Sequence, residues 1–551
     1  MSAPAAAPPV SPTARQKRAQ QPALAPWCLA ALAGQGPLRW PADPAPPPSP
    51  KRRYRSQYCP PDPAALAAPG ALAPRSDFEV ACALIDFTPL EPALAAHYRP
   101  SRKGQVPYHP VSLFLACALR RELGLGWRGL ARLLAHPEHG AGWRRRCGFT
   151  PGQTPSASGL RYFFEQVGPA VCAALCPQAI TLLRQHGLFP ERSTYPGDPP
   201  ARGIAVTQDG QLHPARQRPR CGFVTDTCYQ PRPAPGRPCP ARAKGHEGCA
   251  CTTPACAARC ERANRLDPEA RLIQYAARAR PAPPGPAPAA PARPGPPRAG
   301  TVVFGYRSVA ERALDDRLAV AWTLRSGVYP ATADERTLFV PRLRALQRTF
   351  PDLRIGEWLD DAGVGYEECL EAVWHLGALR LMDLRAAPPD ADRAACVQRG
   401  YDAHGWPLCP HGYRLRANGH DWARRRTKYV CAQACRREPP QLGQPVQPVA
   451  GCPYLERTRP LGYVVNVGRT LPDGSVRLAR ELPYGSATWQ ARYGRRNLAE
   501  SRNGQLAGLG LKRLPCHGLP RATKEIQLAD WLLNLRTIGR LVRAASTGPP
   551  S

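Results

Sequence analysis

Residues 353–370 read LRIGEWLDDAGVGYEECL, which predicts a strand, a turn and a helix in direct succession. The apolar run ends in two adjacent acids, Asp360 and Asp361, and small residues follow before the helical pattern begins. The chain carries 75 basic and only 41 acidic residues, so two carboxylates together at a strand end call for an explanation. Asp is common in turns for conformational reasons, and the pair alone therefore does not define a site.

The elements around this stretch change type repeatedly. Strands are predicted at GIAVTQDG, CGFVTD, TVVFGYRS, RLAVAWTLRS, RIGEWLDD and ALRLMDLRA, and helices at DERTLFVPRLRALQRTF and YEECLEAVWHLG. Strands that alternate with helices predict an α/β fold with a mixed-sheet core, and the first strand is expected to end at Asp209. Near the C-terminus, TKEIQLADWLLNLRTIGRLVR places apolar residues on one helical face and predicts a core-packing helix.

Composition divides the chain into segments. Residues 1–76 are rich in Pro, Ala and Arg without a sustained period, which predicts disorder. The other expected segments are a helical domain at 77–195, a first part of the core at 196–390 with a Cys-rich insertion at 215–262 and a Pro-rich linker at 280–300, an insertion domain at 391–480, a core completion at 481–545 and a tail at 546–551.

The formal charge of +34 favours a polyanionic partner, and nucleic acid is a commoner one than an anionic membrane. Within 77–195, short predicted helices are joined by the basic turn GWRRRCGF, which is compatible with a helix-turn-helix-like module on DNA. Arg144, Arg145 and Arg146 are then candidate DNA contacts. An ordinary helical bundle with a solvated arginine face fits the same pattern.

The sequence lacks a continuous apolar run of the ~18 residues that a membrane helix needs. Its N-terminus also lacks the basic and apolar regions of a secretory signal. The 21 cysteines are expected to be metal ligands or buried thiols in a reducing compartment rather than a disulfide framework. The expected location is the bacterial cytoplasm, in association with the nucleoid.

Three acids at separate positions form a candidate metal site. Asp209 and the pair Asp360–Asp361 end predicted strands, and Glu500 lies on a predicted helix, where it shares a face with Tyr493 and Arg496. Converging carboxylates repel one another unless a cation joins them, and hard divalent ions prefer oxygen ligands. Two such ions about 4 Å apart can drive an in-line phosphoryl displacement. An exposed Arg–Glu pair is the alternative interpretation of Arg496 and Glu500.

The chain resembles bacterial insertion-sequence DDE transposases of the class with a Y-x2-R-x3-E-x6-K signature. The likeness spans about residues 80–545 and is carried by YHPVSLFLACALRRELGLGWRGLARLL with CGFTPGQTPSASGLRYFF, by AVTQDGQLHPAR, by WLDDAGVGYE and by YGRRNLAE. Ala507 stands where the signature lysine belongs, and Lys512 is the nearest lysine. The second block has two extra residues, so Asp361 is preferred as its acid and Asp360 is the alternative.

The resemblance implies an RNase H-like mixed-sheet catalytic core in which Asp209, Asp361 and Glu500 are catalytic and bind Mg²⁺ or Mn²⁺. It implies metal-dependent hydrolysis at transposon ends and strand transfer into target DNA, with Tyr493 and Arg496 contacting DNA near the cut. A homodimer in a synaptic complex on double-stranded DNA is expected. Two alternatives stay open: a non-catalytic, zinc-containing DNA-binding protein derived from a transposase, and an RNase H-fold nuclease that cuts without joining.

Two cysteine sets have spacings that suit structural Zn²⁺, which would order loop-rich segments without taking part in catalysis. Buried thiols or unrelated surface cysteines are the alternative for both. The first set is the C-x-C-x4-C-x3-C run Cys249, Cys251, Cys256 and Cys260, with His246 as a substitute ligand, and the second set, a candidate zinc ribbon, is Cys409, Cys431, Cys435 and Cys452.

Overall fold

The structure is a computed structural model. The residues that it describes are 37–41, 54–66, 71–72, 74–96, 106–217, 258, 261, 264–275, 301–383, 400, 407–421, 424, 426–431, 452–454, 461–467, 481–482 and 487–546.

The α-helices of these ranges, in chain order, are α1 (Asp77–Cys82), α2 (Glu91–Ala95), α3 (Pro110–Glu122), α4 (Trp127–Ala135), α5 (Ala141–Cys147), α6 (Ala157–Gln166), α7 (Pro169–Gln185), α8 (Glu335–Thr349), α9 (Glu367–His375), α10 (Ala487–Tyr493), α11 (Asn497–Leu506) and α12 (Leu519–Ser546). The strands are β1 (Leu38–Arg39), β2 (Ile85–Asp86), β3 (Ile204–Pro214), β4 (Arg271–Tyr275), β5 (Thr301–Asp315), β6 (Val320–Pro330), β7 (Ile355–Asp360), β8 (Leu379–Met382), β9 (Arg416–Asp421), β10 (Arg426–Val430) and β11 (Val464–Val467).

A mixed parallel and antiparallel sheet organises the α/β fold, as the alternation of elements predicts. Its central strand, β3, is antiparallel to β5 on one side and parallel to β7 on the other. Both β4 and β6 pair with the far edge of β5, and β8 lies parallel to β7. Because β3 and β7 run in the same direction, their C-terminal ends lie at the same edge of the sheet.

The prediction that the first strand ends at Asp209 is wrong. β3 continues to Pro214, because each residue from Ala205 to Pro214 lies opposite a residue of the antiparallel strand β5. Only the parallel partner β7 stops early, with Thr207 opposite Leu359 as the last pair. Asp209 therefore lies on a strand that is paired along one edge and open along the other.

Part of the segment 1–76, for which composition predicts disorder, is folded. β1 pairs in parallel with β2, and the side chain of Trp40 is only 1% exposed. The Trp40 ring packs against Phe87 and Trp531, and its indole N–H donates to Gln178 Oε1 at 2.9 Å. Trp40 and the other buried apolar residues of this segment, Leu38, Tyr58 and Leu66, anchor it to the core, and average composition does not report such contacts.

The helical segment 77–195 shares one continuous apolar core with the sheet and with α12. α3 is buried along nearly its whole length, so it is a core helix and not one exposed for DNA. The core-packing prediction for α12 is confirmed by the burial of its predicted apolar positions, Ile526, Trp531, Leu535, Ile538 and Leu541. Glu525 on α12 forms buried ion pairs with Arg120 and Arg121 on α3, so the C-terminal helix is linked to the helical segment.

Within the segment 391–480, the described residues form a small antiparallel sheet in the order β11–β10–β9. Its own core consists of Leu415, Tyr429 and Val467. Taken one at a time, the helices of the described ranges are too short or too polar to cross a membrane; α6 and α7 pass that test only as a pair bent by 80°.

Candidate active site

The register of β3 and β7 brings two of the predicted acids to one edge of the sheet. Asp209 is two residues past Thr207 on β3, and Asp361 is two residues past Leu359, the partner of Thr207 on β7. Asp361 caps a short 3-10 turn, Ala362–Val364, and its Oδ1 accepts the N–H of Gly363 at 2.7 Å. Its side chain is 47% exposed, so it is open to a ligand.

Helix α11 brings the third acid, Glu500, to the same edge. Arg312 on β5 donates to the carbonyl of Ala499 at 2.8 Å, which fixes the helix against the sheet directly before Glu500. Arg496 then links two of the acids, because its Nη2 contacts Glu500 Oε1 at 2.5 Å and its Nη1 lies 4.0 Å from Asp361 Oδ2. Asp361 and Glu500 thus share one guanidinium group, and Asp209 lies within electrostatic range of Arg496 and Glu500.

Asp209 is the least solvated of the three. Burial raises the pKa of its carboxyl, and the cations Arg502, Arg312 and Arg496 oppose that rise, whereas Glu500 adds to it. Its Oδ2 atom is buried and has no hydrogen-bond partner among the described residues. A buried, unsatisfied carboxylate oxygen is costly unless a further cation or donor reaches it.

The neighbouring acid Asp360 has a different environment. Its side chain is only 2% exposed, and it accepts hydrogen bonds from the indole of Trp358 at 3.3 Å and from the N–H of Asp361 at 2.9 Å. Burial raises its pKa well above the usual value, and the charges of Asp361 and Glu335 raise it further. The geometry therefore favours Asp361 over Asp360 as the accessible acid.

A fourth carboxylate, Glu335, lies at the same edge and was missed by sequence reasoning. It is the first residue of α8 and forms an ion pair with Arg307 on β5. Burial raises the pKa of Glu335, and Arg307 lowers it. The charges of Asp361 and Asp209 raise this pKa further, so Glu335 lies within electrostatic range of both. The helix pattern starting DERTLF marked residue 335 only as a helix start, where acids are common.

Tyr493 and Arg496 lie beside the acids, although a 3-10 turn, Gly494–Arg496, interrupts the predicted continuous helix. The Tyr493 ring stacks on Trp489 with centroids 4.4 Å apart, and the guanidinium of Arg496 lies 5.8 Å from the centre of the Tyr493 ring. Burial raises the pKa of the Tyr493 phenol, whereas Arg496 lowers it. Both side chains are thus positioned next to Asp361 and Glu500.

A buried ionic cluster anchors this turn. Glu357 on β7 is fully buried and forms ion pairs with Arg492 and Arg495. Arg492 also pairs with Asp198, and Arg495 with Asp316 at 2.9 Å. Pattern reading assigned no role to these residues, because arginines in this basic chain resemble one another until their buried partners are known.

The three arginines of the basic turn differ in accessibility. Arg144 is buried and donates to the carbonyls of Leu134, His136 and Pro137, so its guanidinium holds the end of α4. Arg146 pairs with Glu79 at 3.2 Å. Arg145 has the exposed side chain of the three and is the one available to DNA as the structure stands.

The first cysteine set, Cys249, Cys251, Cys256 and Cys260 with His246, lies outside the described residues, as does Cys435 of the second set. Cys409, Cys431 and Cys452 are partly buried, and Cys409 and Cys431 pack against the core of the small β9–β11 sheet. Burial raises the pKa of Cys409, the N–H groups of Tyr413 and His411 lower it, and Cys431 and Cys452 raise it. Cys409 is thus within electrostatic range of Cys431 and Cys452, and zinc binding stays a prediction.

The chemical type of the acidic side chains suits a hard divalent cation, because all their ligand atoms are oxygens. Asp209 Oδ2 also has no hydrogen-bond partner among the residues that the structure describes. As placed, however, Asp361 and Glu500 are directed at Arg496. Across the ranges that the structure describes, no three His, Cys, Asp or Glu side chains form a group that could hold a metal ion. Binding would need Asp361 and Glu500 to turn from Arg496 toward Asp209.

Comparisons of the chain with protein-family models, with curated proteins and with solved structures found no match.

Proposed function

We propose that the chain is a DDE-type DNA transposase that cleaves DNA at transposon ends and joins those ends to target DNA in a metal-dependent reaction. One observation supports the proposal: Asp361 and Glu500, from distant parts of the sequence, share Arg496 at the edge of the sheet where Asp209 lies within electrostatic range of both Arg496 and Glu500. A mixed sheet with its first strand at the centre is consistent with the RNase H-like core that the resemblance implies.

Asp209, Asp361 and Glu500 would hold Mg²⁺ or Mn²⁺, and the bound metal would activate a nucleophile and stabilise the leaving oxygen. β5 pairs with β3 at the residues before and after Asp209, so the strand fixes the backbone position of this acid. Tyr493 and Arg496 lie where they can contact a phosphate next to the acids. Arg496 would exchange its carboxylate partners for the phosphate, since guanidinium groups bind both anions through paired N–H donors.

One observation favours the non-catalytic alternative, a DNA-binding protein derived from a transposase. Arg496 is the counter-ion of both Asp361 and Glu500, as in a purely structural ion pair. An RNase H-fold nuclease that cuts without joining would use the same acids, and only the reaction products separate it from a transposase.

The proposal is tested with the purified full chain and linear DNA that contains the sequences flanking its gene. We expect nicks at fixed positions that expose 3′-hydroxyls, followed by joining to a supercoiled target plasmid, with Mg²⁺ or Mn²⁺ and not with EDTA. Cleavage without joining would indicate the nuclease. Specific binding without cleavage in any divalent metal would indicate the non-catalytic protein.

We also predict that DNA binding weakens steeply with salt. A chain that makes six to ten phosphate contacts loses roughly 10³- to 10⁵-fold in affinity between about 50 and about 200 mM salt, because bound counterions are released. Fluorescence anisotropy with a labelled duplex measures this slope. Arg145→Ala should lower the slope by about one.

Arg161→Ala is the matched control, because Arg161 is exposed but already paired with Glu165 at 2.9 Å. A slope near zero for the wild-type chain would contradict the assignment of DNA as its partner. An unchanged slope in Arg145→Ala would remove the basic turn from the interface.

A further inference from the structure

We infer that a cavity beside α1, α3 and α5 binds a small aromatic carboxylate, whose ring would lie against Trp143 and whose charge would be held by Arg146. The cavity shares no side chain with the candidate active site. The site therefore stands apart from the proposed reaction, and its ligand is a small organic anion and not DNA.

The cavity lies where α1, α3 and α5 meet the segment 58–62, and it encloses about 300 Å³. That volume is at the lower end of the range for small-molecule sites in proteins. Most of its lining is apolar and includes Tyr58, Pro61, Phe78, Leu115, Leu119 and Trp143. Aromatic and proline rings present flat surfaces, which favours a planar ligand over a branched one.

Two cysteines of the lining, Cys82 and Cys147, add to this apolar surface. Burial raises the pKa of the Cys147 thiol to about 12, and burial raises the pKa of Cys82 well above its usual value. Both thiols are therefore protonated at neutral pH, and a buried thiol behaves as a small apolar group rather than as a metal ligand or a nucleophile. Recognition of a polar ligand group is left to the charged side chains.

The charged side chains of the lining favour an anion. Arg75, Arg145 and Arg146 line the cavity, and among the described residues around it Asp62 is the one acid. Asp62 is exposed, and its Oδ1 already accepts the N–H of Ala64 at 3.0 Å. Three cations against one acid give the cavity a positive potential, which favours an anionic ligand.

Arg146 carries a buried donor without a partner. Its Nη2 lies 3.2 Å from Glu79 Oε1, whereas its Nη1 is buried and makes no hydrogen bond with the described residues. The guanidinium also lies 5.4 Å from the centre of the Trp143 ring. Burial lowers the pKa of Arg146, the charge of Glu79 raises it, and the charge of Arg75 lowers it further.

A ligand carboxylate would satisfy Arg146 Nη1 and would offset the repulsion between Arg146 and Arg75. A buried donor without a partner is costly, and hydrogen bonds between guanidinium and carboxylate groups are among the strong ones. A hydrated cavity with no specific ligand is the competing explanation, because a water molecule would also satisfy this donor.

Isothermal titration calorimetry of the purified full chain with cinnamate separates the two explanations. Cinnamamide is the matched ligand, because it has the same planar body without the charge. We expect saturable binding of cinnamate and about tenfold or more weaker binding of the amide, since hydrogen bonds to charged groups are stronger than neutral ones. Acetate at the same concentration should not displace cinnamate, because acetate lacks the ring.

Arg146→Gln should weaken cinnamate affinity by about tenfold or more and leave the affinity for cinnamamide unchanged. Arg161→Gln is the matched control, because Arg161 is an exposed arginine paired with Glu165 and does not line the cavity. Ala83→Phe is a second test that keeps every charge: Ala83 lines the cavity, so the added ring should fill the space and abolish cinnamate binding. Circular dichroism melts show whether each variant retains its fold.

Absence of saturable cinnamate binding by the wild-type chain would overturn the site and leave a hydrated cavity. Equal affinity for cinnamate and cinnamamide would overturn the anionic ligand, and displacement of cinnamate by acetate would overturn the aromatic one. Preference for the carboxylate that is lost in Arg146→Gln and in Ala83→Phe, and kept in Arg161→Gln, would establish the site. The ligand comparison needs only the wild-type chain, so it decides even if a variant fails to fold.

Discussion

Asp209→Asn is expected to reduce DNA cleavage by roughly 10³-fold or more while specific binding to the DNA ends persists. The amide keeps the shape of the side chain but loses the charge that would hold a divalent ion. Asp209 lies inside a paired strand and not in a mobile loop, so no neighbouring acid can take its position without moving β3. The measurement is single-turnover cleavage of an end-containing duplex in Mg²⁺ and in Mn²⁺.

Asp352→Asn is the matched control for this experiment. Asp352 is an exposed aspartate in the turn before β7, where it pairs with Arg184 of α7. Its substitution should leave the cleavage rate unchanged. A normal cleavage rate in Asp209→Asn would contradict the site assignment. Loss of both cleavage and DNA binding, with a lowered melting temperature, would mean that Asp209 supports the fold instead.

The second large effect is on stability: Asp530→Leu is expected to reduce the free energy of unfolding by about 3–5 kcal/mol. Asp530 and Arg502 are both fully buried, and they form two hydrogen bonds, Nε–Oδ1 at 2.7 Å and Nη2–Oδ2 at 2.9 Å. Without Asp530, the Arg502 guanidinium stays in the core without its main partner. Urea denaturation followed by tryptophan fluorescence measures the loss.

The double variant Arg502→Met/Asp530→Leu should recover most of that stability, because an apolar pair of similar volume removes the uncompensated charge. Glu368→Gln, which breaks the exposed pair with Arg336, should cost far less stability, because solvent screens surface ion pairs. A loss no larger for Asp530→Leu than for this surface control would contradict the role of the buried pair. Recovery in the double variant would show that charge, and not shape, causes the loss.

The Arg502–Asp530 pair also bears on the candidate site. Arg502 lies on α11 two residues after Glu500, and its charge is the first of the cations that lower the pKa of Asp209. The pair therefore joins α11 to α12 and keeps the positive charge of Arg502 within electrostatic range of Asp209. In the double variant, cleavage should fall even where stability recovers, because Asp209 loses this cation.

Several features could be predicted from sequence because they depend on residues close together in the chain. The apolar period of RIGEWLDD and YEECLEAVWHLG predicts a strand and a helix, and β7 and α9 occupy those positions. The same applies to α12. Asp209 and Asp361 could be selected because they follow apolar runs, whereas Glu500 lies within a helical pattern and was joined to them by the family resemblance.

Other features depend on tertiary contacts, some between residues more than a hundred positions apart, which local periodicity does not report. Glu335 looked like an ordinary helix start until α8 placed it beside Gly210 and Gly363. Trp40 lay in a segment of disordered composition, yet it packs on Trp531. Arg144 looked like a DNA contact in a basic turn, and only the fold turns it inward.

The sequence by itself determined the α/β class, the elements from β5 to β8 and the identity of three candidate acids, because burial on one face of a strand or helix leaves a short-range period. The tertiary structure alone decided the length of β3, the accessibility of Asp361 over Asp360 and the ion pair of Glu335 with Arg307. These depend on parallel register and on which side chains meet across the sheet. No short stretch of the chain encodes either.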